Sequence, residues 1–66
     1  MNAIFKYRRD HKLTQEQLAE RLGISKASVC RFESGVRKPS VKRVDKITEL
    51  TGIPRHELRP DVWEAA

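Results

Sequence analysis

The chain has one cysteine, Cys30, so no intramolecular disulfide can staple its 66 residues. Long apolar runs are missing too. None approaches the roughly 18 residues of a membrane span, and the amino terminus has no apolar stretch of the signal-peptide kind. A cytoplasmic protein with no membrane partner is the expectation. No Gly/Ser linker, low-complexity tract or internal repeat divides the chain, which predicts one domain over residues 1–66. Nowhere do β-branched and aromatic residues alternate with polar ones over four positions, so strands find no support. The parts of an enzyme are absent as well: there is no Gly-rich phosphate loop, no carboxylate pair with an evident cleft, and no nucleophile with a base. His11 and His56 stand alone without zinc-ligand spacing, and no cofactor, metal or small-molecule substrate is expected.

Charge is plentiful, with 14 Lys and Arg against nine Asp and Glu, and its distribution is uneven. Residues 25–43 carry Lys26, Arg31, Arg37, Lys38, Lys42 and Arg43 against Glu33 alone, a net of +5 that equals the whole excess. The remainder holds eight charges of each sign. A basic excess confined to one segment is the footprint expected of a polyanion binder, since a merely soluble protein more often scatters its charge; charge alone leaves a solvated basic face open as the alternative.

The hydrophobic pattern predicts an all-α, compact four- or five-helix bundle. A first helix follows the N-cap Asn2 and runs to about Lys12, with Ile4, Tyr7 and Phe5 turned inward. Thr14 and Gln17 have capping-box spacing and open a second helix that buries Leu18 and Leu22; Gly23 ends it. Ser25 caps a third helix, 26–34, whose Val29 and Phe32 point inward, and Gly35 closes it. Ser40 caps a fourth helix with a stripe of Val41, Val44, Ile47 and Leu50, closed by Gly52. After Pro54, residues 56–59 form one more turn around Leu58, limited by Pro60.

Two short helices joined by a tight turn at Gly23-Ile24 match the helix-turn-helix arrangement. A helix entering a major groove about 12 Å wide needs small residues near its start and long donors where base edges are reached. Ser25, Lys26, Ala27, Ser28 and Arg31 supply that chemistry. The run LTQEQLAERLGISKASVCRFESG, from Leu13 to Gly35, followed by Arg37 to Ser40, resembles the phage repressor and Cro (Xre-like) family over about residues 3–53. The resemblance implies a sequence-specific transcriptional regulator of double-stranded operator DNA, acting as a homodimer. It implies that Gln15 contacts phosphate and braces the recognition helix, and that Lys26, Ala27, Ser28 and Arg31 occupy base-reading positions. Arg37 and Lys38, with Lys42 or Arg43, would grip the flanking backbone. It further implies an ion pair between Arg8 and Glu33. Cys30 stands where serine is common in the family, and Leu50-Thr51 shifts the usual apolar spacing. The tail from Ile53 to Trp63 is similar to the ending of YdaS-type and Cro-like phage regulators.

Several assignments have a plainer reading beside the functional one. Ser25 caps its helix before it touches phosphate, Ser28 is open between packing and base contact, and Lys26 between base and phosphate. Cys30 reads as a small, semi-buried residue. The tail 53–66 is a candidate for dimer contact through Leu58, Val62 and Trp63, with Trp63 open between that role and closing the core. The rival function is an antitoxin-type interaction protein that binds a toxin and regulates its own operon.

Overall fold

The computed structural model describes residues 2–63, and the last three residues expected in the tail lie outside the described residues. Five helices follow one another: α1 (Ala3–Asp10), α2 (Gln15–Leu22), α3 (Lys26–Ser34), α4 (Val41–Thr51) and α5 (Arg55–Leu58). Among the described residues there are no strands, and the fold is an all-α bundle containing a helix-turn-helix. No described helix is long and apolar enough to cross a membrane.

Four of the five helix starts are written in a side chain, and α5, which follows Pro54, has no side-chain cap. Asn2 Oδ1 accepts the Phe5 N–H at 3.0 Å, and the Ser40 hydroxyl accepts the Arg43 N–H at 3.2 Å. At α2 the capping box is complete: Thr14 Oγ1 accepts the Gln17 N–H at 3.1 Å, and Gln17 Oε1 accepts the Thr14 N–H at 2.9 Å. These bonds satisfy amides that the first helical turn leaves without partners.

α1 stops at Asp10, two residues short of the expected end. The reason is a left-handed Lys12, φ +54°, which turns the chain so that the Lys12 and Leu13 N–H groups bond back to the Arg9 and Arg8 carbonyls. α2 ends the same way, with Gly23 at φ +69° and the Ile24 N–H on the Ala19 carbonyl at 3.0 Å. One Schellman-type closure therefore uses lysine and the next uses glycine.

The core draws on every helix: Ile4 from α1, Leu18, Ala19 and Leu22 from α2, Val29 and Phe32 from α3, Val44 and Ile47 from α4, and Leu58 from α5, with Ile53 before it. Tyr7, Leu13, Ile24 and Trp63 pack partly buried around it. The four-residue stripe expected on α4 is corrected: Val44 and Ile47 are sealed, but Val41 and Leu50 are about half exposed. A spacing of three falls about 60° short of a full turn at each step, so residues nine apart end on opposite flanks of the helix. Asn2 joins α1 to α3 as well as capping, because its side-chain amide donates to the carbonyls of Phe32 and Glu33.

Candidate nucleic-acid interface

α3 is held by one face and leaves the other free. Val29 and Phe32 fix it in the core, while Lys26, Ala27, Cys30, Arg31 and Ser34 are exposed. Ser25 caps it as expected, accepting the Ser28 N–H at 3.1 Å, and its hydroxyl also donates to Ser28 Oγ at 2.9 Å. Ser28 is half-buried at the edge of the exposed face. The tight turn through Gly23 and Ile24 sets α3 against α2, so the exposed face is presented by a rigid pair of helices.

Behind α3 sits a charge cluster that fixes its angle. Glu33 keeps only 6% of its side chain exposed, and Arg8 meets it with two bonds, Nε to Oε2 at 2.7 Å and Nη2 to Oε1 at 3.0 Å. The Arg8 guanidinium is raised above its already high pKa by this hydrogen bond with Glu33, partly opposed by desolvation. Arg8 Nη1 also donates to the Leu13 carbonyl at 3.1 Å, which ties the turn after α1 to the same cluster. Gln15 Nε2 adds a bond to Glu33 Oε1 at 3.3 Å. Gln15 thus spans from α2 to α3 and borders a shallow surface depression with Arg8, Thr14, Glu16 and Lys26.

The other basic residues divide into two places. Arg37 and Lys38 lie exposed in the loop after α3, with the Arg37 N–H on the Arg31 carbonyl at 3.3 Å. Lys42 and Arg43 lie at the start of α4, where with Ser40 and Lys46 they line a depression against the Gly23-Ile24 turn. Among the described residues Lys26, Arg31, Arg37, Lys42 and Arg43 form no ion pair, whereas Lys38 Nζ lies 3.9 Å from Asp61. With Lys46, which forms none either, the surface carries six uncompensated cations among the described residues and one partly neutralised one.

Three features of this surface escape a reading of the sequence. Cys30 is exposed rather than semi-buried, because it stands one turn beyond Lys26 on the free side of α3. Lys46 joins Lys42 one turn further along α4, a spacing of four that places both on one face and was available as a signal. Asp61, from the tail, reaches into the basic segment, which no local pattern announces. In the tail itself Leu58, a candidate for subunit contact, is buried in the core of the monomer. Trp63 is half-buried against the core, with the Arg55 guanidinium 5.9 Å from its ring centre.

A family model described as helix-turn-helix matches residues 4–58. An uncharacterized HTH-type transcriptional regulator of Methanocaldococcus jannaschii is 40% identical over 57 residues, covering 86% of each chain. The cryptic phage CTXphi transcriptional repressor RstR of Vibrio cholerae is 32% identical over 52 residues, which are 79% of this chain and 47% of the repressor. An uncharacterized HTH-type transcriptional regulator of Bacillus subtilis, YobD, is 46% identical over 46 residues, 70% of this chain and 41% of its own. The chain therefore spans less than half the length of the latter two. No solved structure gives a significant match.

Proposed function

The chain belongs to the helix-turn-helix family, and from that premise we propose that it is a DNA-binding transcriptional regulator that reads duplex operator DNA in the manner of a Cro-like phage repressor. The observation that carries the reading is α3: its apolar residues are locked into the core and its exposed side offers Lys26, Ala27 and Arg31. A helix fixed from behind and free in front is what insertion into a major groove requires.

The roles follow from chemistry and position. Arg31, the long planar donor near the end of α3, is assigned a base edge, where a guanidinium can bond two acceptors of guanine at once. Ala27 lets the helix approach closely. Lys26 and Ser28 lie at the edges of the inserted face, and Ser25 and Gln15 lie at helix starts where free amides and small polar groups suit phosphate oxygens. Arg37, Lys38, Lys42 and Arg43 flank the helix and hold the DNA backbone, which sets register without reading sequence. The repressor named among the relatives supports negative control of transcription.

Selection of bound duplexes from a random pool, followed by competition between the recovered site and a scrambled copy, tests these roles. Arg31→Ala is expected to lose about 1 to 3 kcal/mol on the recovered site and to relax one base position. Lys42→Ala is expected to weaken both duplexes equally. Equal losses on both duplexes for Arg31→Ala would remove base reading from Arg31.

A further inference from the structure

The loop between α3 and α4 must present Arg37 and Lys38, yet it has few bonds of its own. Its entry is tied to α3: the Gly35 and Arg37 N–H groups bond to the Phe32 and Arg31 carbonyls, and the Val36 N–H to the Ser34 hydroxyl. Its exit is held from twenty residues away, by Arg59, whose Nη1 donates to the Pro39 carbonyl at 2.8 Å. Two more of its five N–H groups are occupied by Asp61. Nε bonds Asp61 Oδ1 at 3.0 Å and Nη2 bonds Oδ2 at 2.7 Å, so a planar fork is closed on a planar carboxylate. Asp61 Oδ1 lies 3.9 Å from Lys38 Nζ on its other side. Arg59 keeps 20% of its side chain exposed and commits all three of its nitrogens to protein acceptors.

We propose that Arg59 is a positioning residue for DNA binding: by holding the Pro39 carbonyl it sets the loop in which Arg37 and Lys38 meet the phosphate backbone. Asp61 locks Arg59 in that pose and competes with phosphate for Lys38. The inference rests on the DNA-binding reading above. An arginine that only anchored the tail would change stability and leave the electrostatics of binding alone, and the two cases differ in a measurable way. Each neutralised phosphate contributes about 0.9 to the slope of log affinity against log salt.

The test is a salt series of fluorescence anisotropy titrations with a labelled mixed-sequence duplex, at a temperature where circular dichroism shows each variant folded. Lys38→Gln is expected to flatten the slope by about 0.9. Arg59→Met is expected to flatten it by about as much and to weaken low-salt binding up to about five-fold, the scale of one exposed ionic contact. The double variant is expected to be little worse than either single one, because both remove the same contact; loss of an unrelated remote charge would add instead. Arg59→Lys, which keeps one donor for the Pro39 carbonyl, recovers part of the slope. Asp61→Asn frees Lys38 of its competing carboxylate but also loosens the fork that locks Arg59, so its low-salt affinity stays within about two-fold of wild type while its slope flattens toward that of Arg59→Met. The proposal is overturned if Arg59→Met binds with wild-type slope and affinity, or if its effect adds fully to that of Lys38→Gln. Should Arg59→Met not fold, Arg59→Lys and Asp61→Asn decide: a wild-type salt slope in both overturns the proposal. A wild-type protein with no salt-dependent binding would remove the DNA reading, and the proposal with it.

Discussion

Glu33 is nearly sealed from water, so its charge has to be met inside the protein. Arg8 supplies two of its bonds and Gln15 a third, and the same Arg8 reaches the carbonyl of Leu13 beyond the turn. Arg8→Met leaves the carboxylate with Gln15 alone. The expected cost is about 3 kcal/mol, read as a lowered melting midpoint without DNA, because a buried charge that loses its partner keeps its desolvation penalty. Arg8→Met combined with Glu33→Leu should recover much of that loss; a single variant that melts like wild type while only its DNA binding suffers would make Arg8 a DNA contact instead. Asp61 shows the opposite balance at an exposed site. Its hydrogen bonds with Arg59 hold its carboxyl down, from the ordinary 3.8 to about 2. A depressed carboxylate pKa stabilises the fold in full above the ordinary value, and that contribution disappears as the pH falls through about 2. A carboxyl-carbon NMR titration should place the Asp61 midpoint near 2, and Arg59→Met should move it back up toward the ordinary value. An unchanged midpoint in the variant would mean that another group holds Asp61.

The helices show where sequence and structure speak the same language. Gly23 takes φ +69° with open space where a Cβ would stand, so a side chain there meets backbone strain and no neighbour. Gly23→Ala is therefore expected to cost about 1 kcal/mol in chemical denaturation, the penalty of a left-handed alanine. Little or no loss would show that the turn between α2 and α3 relaxes around the new side chain. The caps Thr14, Ser25 and Ser40, and the stops Gly23, Gly35 and Gly52, are legible because each acts within about four residues of the chain. Lys12 is illegible for the complementary reason: nothing in a lysine announces a left-handed backbone, which here follows from the closure that brings Leu13 back to Arg8. Val41 and Leu50 mislead because a period of three imitates a helical stripe over six residues and departs from it over nine. Of the basic surface, the residue types and their segment are readable from the sequence. Their partners are not, since the Asp61 that tempers Lys38 and the Arg59 that holds Pro39 arrive from twenty or more residues away.

At the scale of the whole molecule, one α3 reaches only a few base pairs, too few to choose one site among about 10⁶ or more genomic competitors. We propose that a second copy related by a two-fold axis doubles the sequence read; half-sites should then lie about 10 to 10.5 base pairs apart, with both copies of α3 on the same side of the duplex. Within the described residues of the tail the surface available for that contact is narrow. Ile53 and Leu58 are buried in the monomer, Trp63 is half-buried against the core, and Val62 stands about half exposed beside it. Trp63→Ala would open the core and confuse folding with association, which makes the uncharged Val62→Gln the cleaner probe. It should leave the monomer's melting midpoint and its binding to a single half-site unchanged. On a full two-half-site duplex, the two-subunit complex should form without the cooperativity of wild type, as read by sedimentation of protein with labelled DNA. Undiminished cooperativity in Val62→Gln would place the subunit contact elsewhere on the molecule, and the exposed Val41 at the start of α4 would be the next surface to probe.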